Sequence, residues 1–285
     1  MENTTFLKIG NIEIYWLHGG DFRLDGGSMF GAVPKMLWQG VYPADGDNTI
    51  PLCNDPLLLK TDNDLVIVDT GLGNRLDERI RKIYKIGRSW QLLDDLEKLG
   101  FNREDITRVV LTHCDFDHAG GITMAGAGGR EELTFPGAVH YIREKEWQDV
   151  NKPHPRALST YFPENFLLLA QKGKLRLLQG DGEISPGVTV RHTGGHTRGH
   201  QMVEIESQGN LGVHLGDLYP THAHSNPLWI MAYDNYPLEV IDCKLKLFSK
   251  YMRRDSYFIF YHDPFVRACK LADDFSIKER WTDTS

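Results

Sequence analysis

Two imidazoles and two carboxylates crowd into one short stretch, Thr112-His113-Cys114-Asp115-Phe116-Asp117-His118-Ala119-Gly120-Gly121. His113, Asp115, Asp117 and His118 each offer a nitrogen or oxygen lone pair of the kind that binds divalent cations. A mixture of the two donor types suits zinc, iron, manganese or cobalt, whereas calcium and magnesium take all-oxygen shells. Such side chains are costly to keep in a loop without partners, and a cation satisfies all four together. The competing reading is a solvated polar turn. Three more donors follow: His196 in Thr193-Gly194-Gly195-His196-Thr197-Arg198-Gly199-His200, Asp217 after Gly216, and His262 before Asp263. Seven donors are too many for one tetrahedral ion but suit two ions that share a carboxylate. Two ions about 3.5–4 Å apart can bind a water, lower its pKa and clamp a substrate oxygen. Alternation on an extended loop turns Cys114 away from its neighbours, which makes it a bystander.

Each group of donors follows an apolar run that reads as a strand: 107–111, 188–192, 211–215 and 257–261, the last taken as the final strand. Donors so far apart in sequence meet only if these strands run side by side and present one edge. Other strands are expected at 12–17, 138–142 and 202–205, with a hairpin of 56–60 and 65–68 around Asp62-Asn63-Asp64. Helices are expected at 89–99 (Leu92, Leu93, Leu96 and Leu99 on one face), 144–150, 164–171 and 237–252. In the last of these Leu238, Ile241, Leu245 and Phe248 stand at helical spacing. The glycine-rich stretch 120–130 reads as a loop. Segment 25–38 carries Met29, Phe30 and Trp38 with neither period, so it is an irregular piece on the core or an apolar lid over a site.

The chain has 285 residues, is 41% hydrophobic and carries a formal net charge of -7. That is enough for one α/β domain over residues 1–285, with no internal repeat or linker. The acidic balance argues against nucleic-acid and anionic-membrane partners. Cys53, Cys114, Cys243 and Cys269 are scattered and fit free thiols in a reducing cytoplasm. Met1–Phe6 lacks the pattern of a secretory leader, and no apolar run approaches a membrane span.

Taken together, Val68-Asp69-Thr70-Gly71, Thr112–Gly121, Gly194-Gly195-His196-Thr197 with Gly199-His200, Gly216-Asp217 and His262 resemble the metallo-β-lactamase-fold hydrolases. Within that superfamily, 25–38 and 220–229 resemble the quorum-quenching N-acyl homoserine lactonases and their methyl parathion hydrolase-like relatives. The resemblance implies a four-layer αβ/βα sandwich of two mixed sheets with flanking helices. It implies one cation held by His113, position 115 and His196, a second by Asp117, His118 and His262, and Asp217 bridging them. It further implies that a hydroxide between the two cations opens a lactone or ester, with Asp117 passing a proton to the leaving alkoxide. Tyr219 is the nearest match to the tyrosine those lactonases place after the bridging acid. Met29, Phe30, Trp38, His222 and Trp229 are expected to line the substrate pocket, and Asp69 and His200 to orient ligands from behind.

One position departs from the pattern. The family's His-x-His-x-Asp-His reads His-x-Asp-x-Asp-His here, with Asp115 in place of a histidine. A carboxylate is harder and anionic, which moves preference from zinc towards iron or manganese. Flavodiiron oxygen reductases resemble this variant, so a di-iron redox enzyme stands beside a lactonase and a phosphotriesterase. The partner expected is a small lactone or ester, and a homodimer is compatible with the resemblance.

Overall fold

Alternation within each strand assigns its two faces to two different cores. The computed structural model of the chain describes residues 5–282, so Met1–Thr4, part of the stretch read for a leader, lies outside it. Seven strands form the first sheet in chain order: Leu7–Ile9, Ile12–Trp16, Leu57–Lys60, Leu65–Val68, Arg108–Val110, Val139–Arg143 and Leu175–Leu178. The first four pair antiparallel and the last four parallel. A second seven-stranded sheet runs Gly182–Ser185, Val188–His192, Gln201–Ser207, Asn210–His214, Tyr257–Ile259, Ala268–Leu271 and Ile277–Trp281. It is antiparallel except where Asn210–His214 meets Tyr257–Ile259.

Leu57, Leu59, Val66 and Val68 face Val188, Val190, Val203 and Ile205 in the apolar layer between the sheets. The intervening Leu58 and Ile67 point the other way, onto helices Leu92–Lys98, Glu144–Asn151 and Glu164–Gln171. Met202, Val213 and Phe258 on the outer face of the second sheet pack against helix Pro237–Met252. The order is therefore helix, sheet, sheet, helix, a metallo-β-lactamase-type αβ/βα sandwich. Among the described residues no helix is long and apolar enough to cross a membrane.

Four local expectations need correction. Tyr257–Ile259 is not the final strand, because Ala268–Leu271 and Ile277–Trp281 follow it. The last is an edge strand whose Lys278, Glu279 and Arg280 hide the pattern, as edges tolerate charge. Residues 120–130 are not all loop: Thr123–Ala125 pairs with Glu131–Leu133 across a turn with Gly128 and Gly129 at φ 70° and 75°. Segment 25–38 holds two short helices, Gly26–Phe30, capped by the Asp25 carboxylate, and Lys35–Trp38. Finally, the buried stripe of helix Pro237–Met252 is Val240, Lys244, Phe248 and Tyr251, while Leu238 and Leu245 are exposed. Lys244 breaks the hydropathy stripe, yet it is fully buried. Its ammonium donates to the carbonyls of His224 (2.9 Å) and Trp229 (2.7 Å) and tethers the loop before the helix.

Candidate metal centre

The ligand motif folds locally as strand, loop and one helical turn. Val109 and Val110 are anchored in the first sheet, and Asp115 caps the short helix Phe116–Ala119, which carries Asp117 and His118. The second sheet supplies the remainder: His196 from the loop after Val188–His192, Asp217 from the turn after Asn210–His214, and His262 beyond Tyr257–Ile259. Both sheets, rather than one sheet edge, therefore bring the donors together. Close backbone approach makes this fit. A Cβ on Gly199 would lie 2.3 Å from the Glu146 nitrogen, and one on Gly216, at φ 52°, would lie 2.6 Å from His200 Nε2.

Six of the seven side chains form two triads, and the seventh, Asp217, stands between them. His113 Nε2 and His196 Nε2 stand 3.6 Å and 3.5 Å from Asp115 Oδ2. His118 Nε2 and His262 Nε2 stand 3.9 Å and 3.7 Å from Asp117 Oδ2. Asp217 lies between, with Oδ2 3.5 Å from His196 Nε2 and Oδ1 3.2 Å from both His118 Nε2 and His262 Nε2. Donors about 2.0–2.2 Å from a tetrahedral cation stand roughly 3.3–3.6 Å apart. The separations around Asp115 fall in that range, and those around Asp117 and Asp217 Oδ1 lie within a few tenths of an ångström of it.

The far nitrogen of each imidazole is tied down. His118 Nδ1–H donates to Asp69 Oδ2 (2.9 Å), His196 Nδ1–H to Asp234 Oδ1 (2.9 Å) and His262 Nδ1–H to the Cys53 carbonyl (2.8 Å). His113 Nδ1–H donates to Thr112 Oγ1 (3.0 Å), whose own hydroxyl donates to Asp69 (2.8 Å). These bonds fix the tautomer that leaves every Nε2 lone pair aimed inward. Asp217 N–H donates to His200 Nε2 (3.2 Å), which places His200 behind the shared carboxylate.

Among the described residues, His113 Nε2, His196 Nε2 and Asp217 Oδ1 are buried without a hydrogen-bond partner, and His118 Nε2 faces His262 Nε2 at 3.0 Å. Converging lone pairs of this kind repel unless positive charge sits between them, so the residues fit a pair of divalent cations. The side chains also perturb one another. Burial opposes charge on Asp217, yet His118, His262 and His196 hold its carboxyl well below the usual range. Burial likewise works against His118, but Asp217, Asp69 and Asp117 raise its pKa well above the ordinary value. Burial, aided by His118, pushes His113 down, and burial pushes Asp117 up.

A cavity of about 340 Å³ opens onto Asp115, Asp117, His196, Asp217 and His262. Of the residues expected to line it, Met29 does. Phe30 and Trp38 are buried and stack on each other at 5.0 Å, supporting the wall rather than forming it. Trp229 packs edge-on against Phe30, and His222 bonds through Nδ1 to Asp263 (2.5 Å). Tyr219 is placed elsewhere altogether. Its ring packs against Phe248, Phe258 and Phe260, and its hydroxyl faces Cys269 Sγ at 3.7 Å. The phenols on the cavity wall are Tyr84 and Tyr233, alongside Phe22, Phe116 and Arg156. Like Asp234, all of these but Phe116 sit in segments without a motif, so nothing in the sequence marked them. Burial, with Asp117 and Tyr233 nearby, pushes the Tyr84 phenol up to about 12.

The fold that carries this site has counterparts among known proteins. A probable metal-dependent hydrolase from Staphylococcus aureus superimposes with a TM-score of 0.91 at 38% identity, over 96% of this chain and 98% of that one. The dizinc quorum-quenching lactonase AidC, solved with the product N-hexanoyl-L-homoserine, shares the fold at a TM-score of 0.77 and 22% identity, over 97% and 96% of the two chains. An N-acyl homoserine lactonase of a Bacillus species is 23% identical over 235 residues, 76% of this chain and 84% of that protein. The profile of the Metallo-beta-lactamase superfamily matches residues 55–237. Because that match covers more than half of the chain, the chain belongs to the metallo-β-lactamase superfamily.

Proposed function

We propose that this protein is a dinuclear metallohydrolase that opens a lactone or a related carboxylic ester. The observation that carries the reading is Asp217, whose two oxygens each face a separate triad of buried donors. His113, Asp115 and His196 would hold one cation, Asp117, His118 and His262 the other, with Asp217 shared. Bound there, two divalent cations supply Lewis-acid polarisation of a carbonyl and a water that is acidic enough to attack near neutral pH. The chain's own groups do the rest. Asp117, which borders the cavity, would take a proton from the water as it adds to the acyl carbon and hand it to the departing alkoxide as the acyl C–O bond breaks. Tyr84 takes the hydroxyl-donor role expected of Tyr219, because its phenol is on the cavity wall. Phe22, Leu24, Met29 and Leu52 shield the site from bulk water.

The lactonase-named relatives support this substrate class, and Asp115 supports a second reading, a di-iron redox centre. One experiment separates them. Freshly purified protein is analysed for metal and optical spectrum, then loaded with zinc, manganese or iron and assayed on acyl lactones and aryl phosphotriesters. Lactone turnover by a colourless protein, lost in His118→Ala together with at least one metal, is the expected result. Full activity in that variant overturns the ligand assignment. Turnover of phosphotriesters alone moves the reading to a phosphotriesterase, and a coloured iron protein without hydrolysis moves it to redox chemistry.

A further inference from the structure

Among the described residues, Arg156 is the one arginine or lysine on the wall of the cavity that holds the metal-ligand candidates. It sits in the short turn Pro155–Ala157. Its Nε–H donates to Asn235 Oδ1 at 2.7 Å, and an Nη–H donates to the Ala232 carbonyl. Asn235 and Ala232 line the same cavity, so the guanidinium is held in a set orientation between two of its wall segments. Several buried or half-buried arginines of the fold are neutralised, Arg143 by Asp181, Arg191 by Glu204 and Arg267 by Asp55. Surface arginines such as Arg79, Arg130 and Arg253 stand without an ion pair among the described residues, but away from the cavity. Among the described residues no carboxylate pairs with Arg156. Nor is it needed to balance the centre, since the three carboxylates there already fall one charge short of two divalent cations. A neutral acyl lactone would leave this charge without a partner.

We propose that Arg156 is a specificity residue that recognises an anionic group on the substrate. On the hydrolase reading above, the preferred substrates are then esters or lactones whose acyl arm ends in a carboxylate. The Phe22, Leu24 and Leu52 side chains offer apolar contact to the intervening carbons. The planar fork of arginine suits a carboxylate, and charge-assisted bonds of this kind are among the stronger ones available to a partly exposed site.

The test compares p-nitrophenyl butyrate with the p-nitrophenyl monoester of glutaric acid, which differ by one carboxylate, on the metal-loaded enzyme. Calorimetric binding of butyrate and of glutarate is measured alongside. The wild type is expected to favour the charged ester in kcat/KM, and glutarate in affinity, by about tenfold or more. Arg156→Gln abolishes both preferences, and Arg156→Lys keeps part of them. Absence of preference in the wild type, or equal loss on both esters in Arg156→Gln, overturns the proposal and leaves Arg156 a latch between two loops. If neither ester turns over, the hydrolase reading stands or falls on the lactone assay above, and the binding comparison alone decides the role of Arg156.

Discussion

Replacing Asp69 by Asn should cost metal before it costs fold. Asp69 accepts three bonds: from Thr112 N–H (2.7 Å), the Thr112 hydroxyl (2.8 Å) and His118 Nδ1–H (2.9 Å). An asparagine can keep the first through its carbonyl oxygen, but its NH2 then faces two donors. To avoid that clash His118 must accept at Nδ1, which moves its proton to Nε2 and removes the lone pair aimed at the centre. Thr112 must also turn, which disturbs the bond from His113 Nδ1. The loss of one charge-assisted bond is about 1.5–3 kcal/mol. Disrupting partners of this kind typically lowers metal affinity roughly 10–100-fold, which is the same energy by another route. Backbone strain does not confound the variant, because residue 69 sits at φ 58°, where Asn is tolerated as readily as Asp. Chelator competition on the purified variant measures the affinities, and urea unfolding of the metal-free protein measures stability. Wild-type affinity at both sites, with a normal unfolding midpoint, would refute the tautomer reasoning.

Three further outcomes follow from the same geometry. Asp115→His should keep metal binding and hydrolysis while raising the preference for zinc over manganese or iron; loss of all metal would show that residue 115 does not coordinate. Tyr84→Phe should lower kcat by about 10²-fold, whereas Tyr219→Phe should leave turnover near wild type, so the reverse pattern in steady-state assays would sink the reassignment. His140 and His224 are buried, and burial pushes each pKa down to about 3. The unfolded chain binds protons below about pH 6.5 that the folded state refuses, so stability falls as pH drops from there towards 3, by about 1.4 kcal/mol per unit for each group. His140→Leu should remove one such share from the acid slope, read as the wild-type-minus-variant difference in urea unfolding at pH 6.5, 5.5 and 4.5.

The metal-ligand candidates were legible in the chain because they are contiguous or sit at the ends of apolar runs. His113, Asp115, Asp117 and His118 are fixed relative to one another by one strand end and one helical turn, an arrangement that local backbone geometry dictates. The apolar runs 57–59 and 65–68 were likewise legible as a hairpin, and their lack of alternation agrees with the burial of both faces in the layered fold. Apart from Met29, the cavity wall was not legible. Tyr84, Arg156 and Tyr233 come from three segments without period or motif, and they share a surface only after both sheets have stacked. Which way a loop aromatic points depends on what packs beneath it: Trp38 lies under Gly26, and Tyr219 falls into the layer beneath helix Pro237–Met252. Lys244 shows the same limit, since a buried cation is affordable only where three carbonyls from a distant loop happen to converge on it. Spacing along the chain thus determined the ligand candidates and the layers, while most of the wall, the phenol and the guanidinium were decided by tertiary contacts that no local pattern encodes.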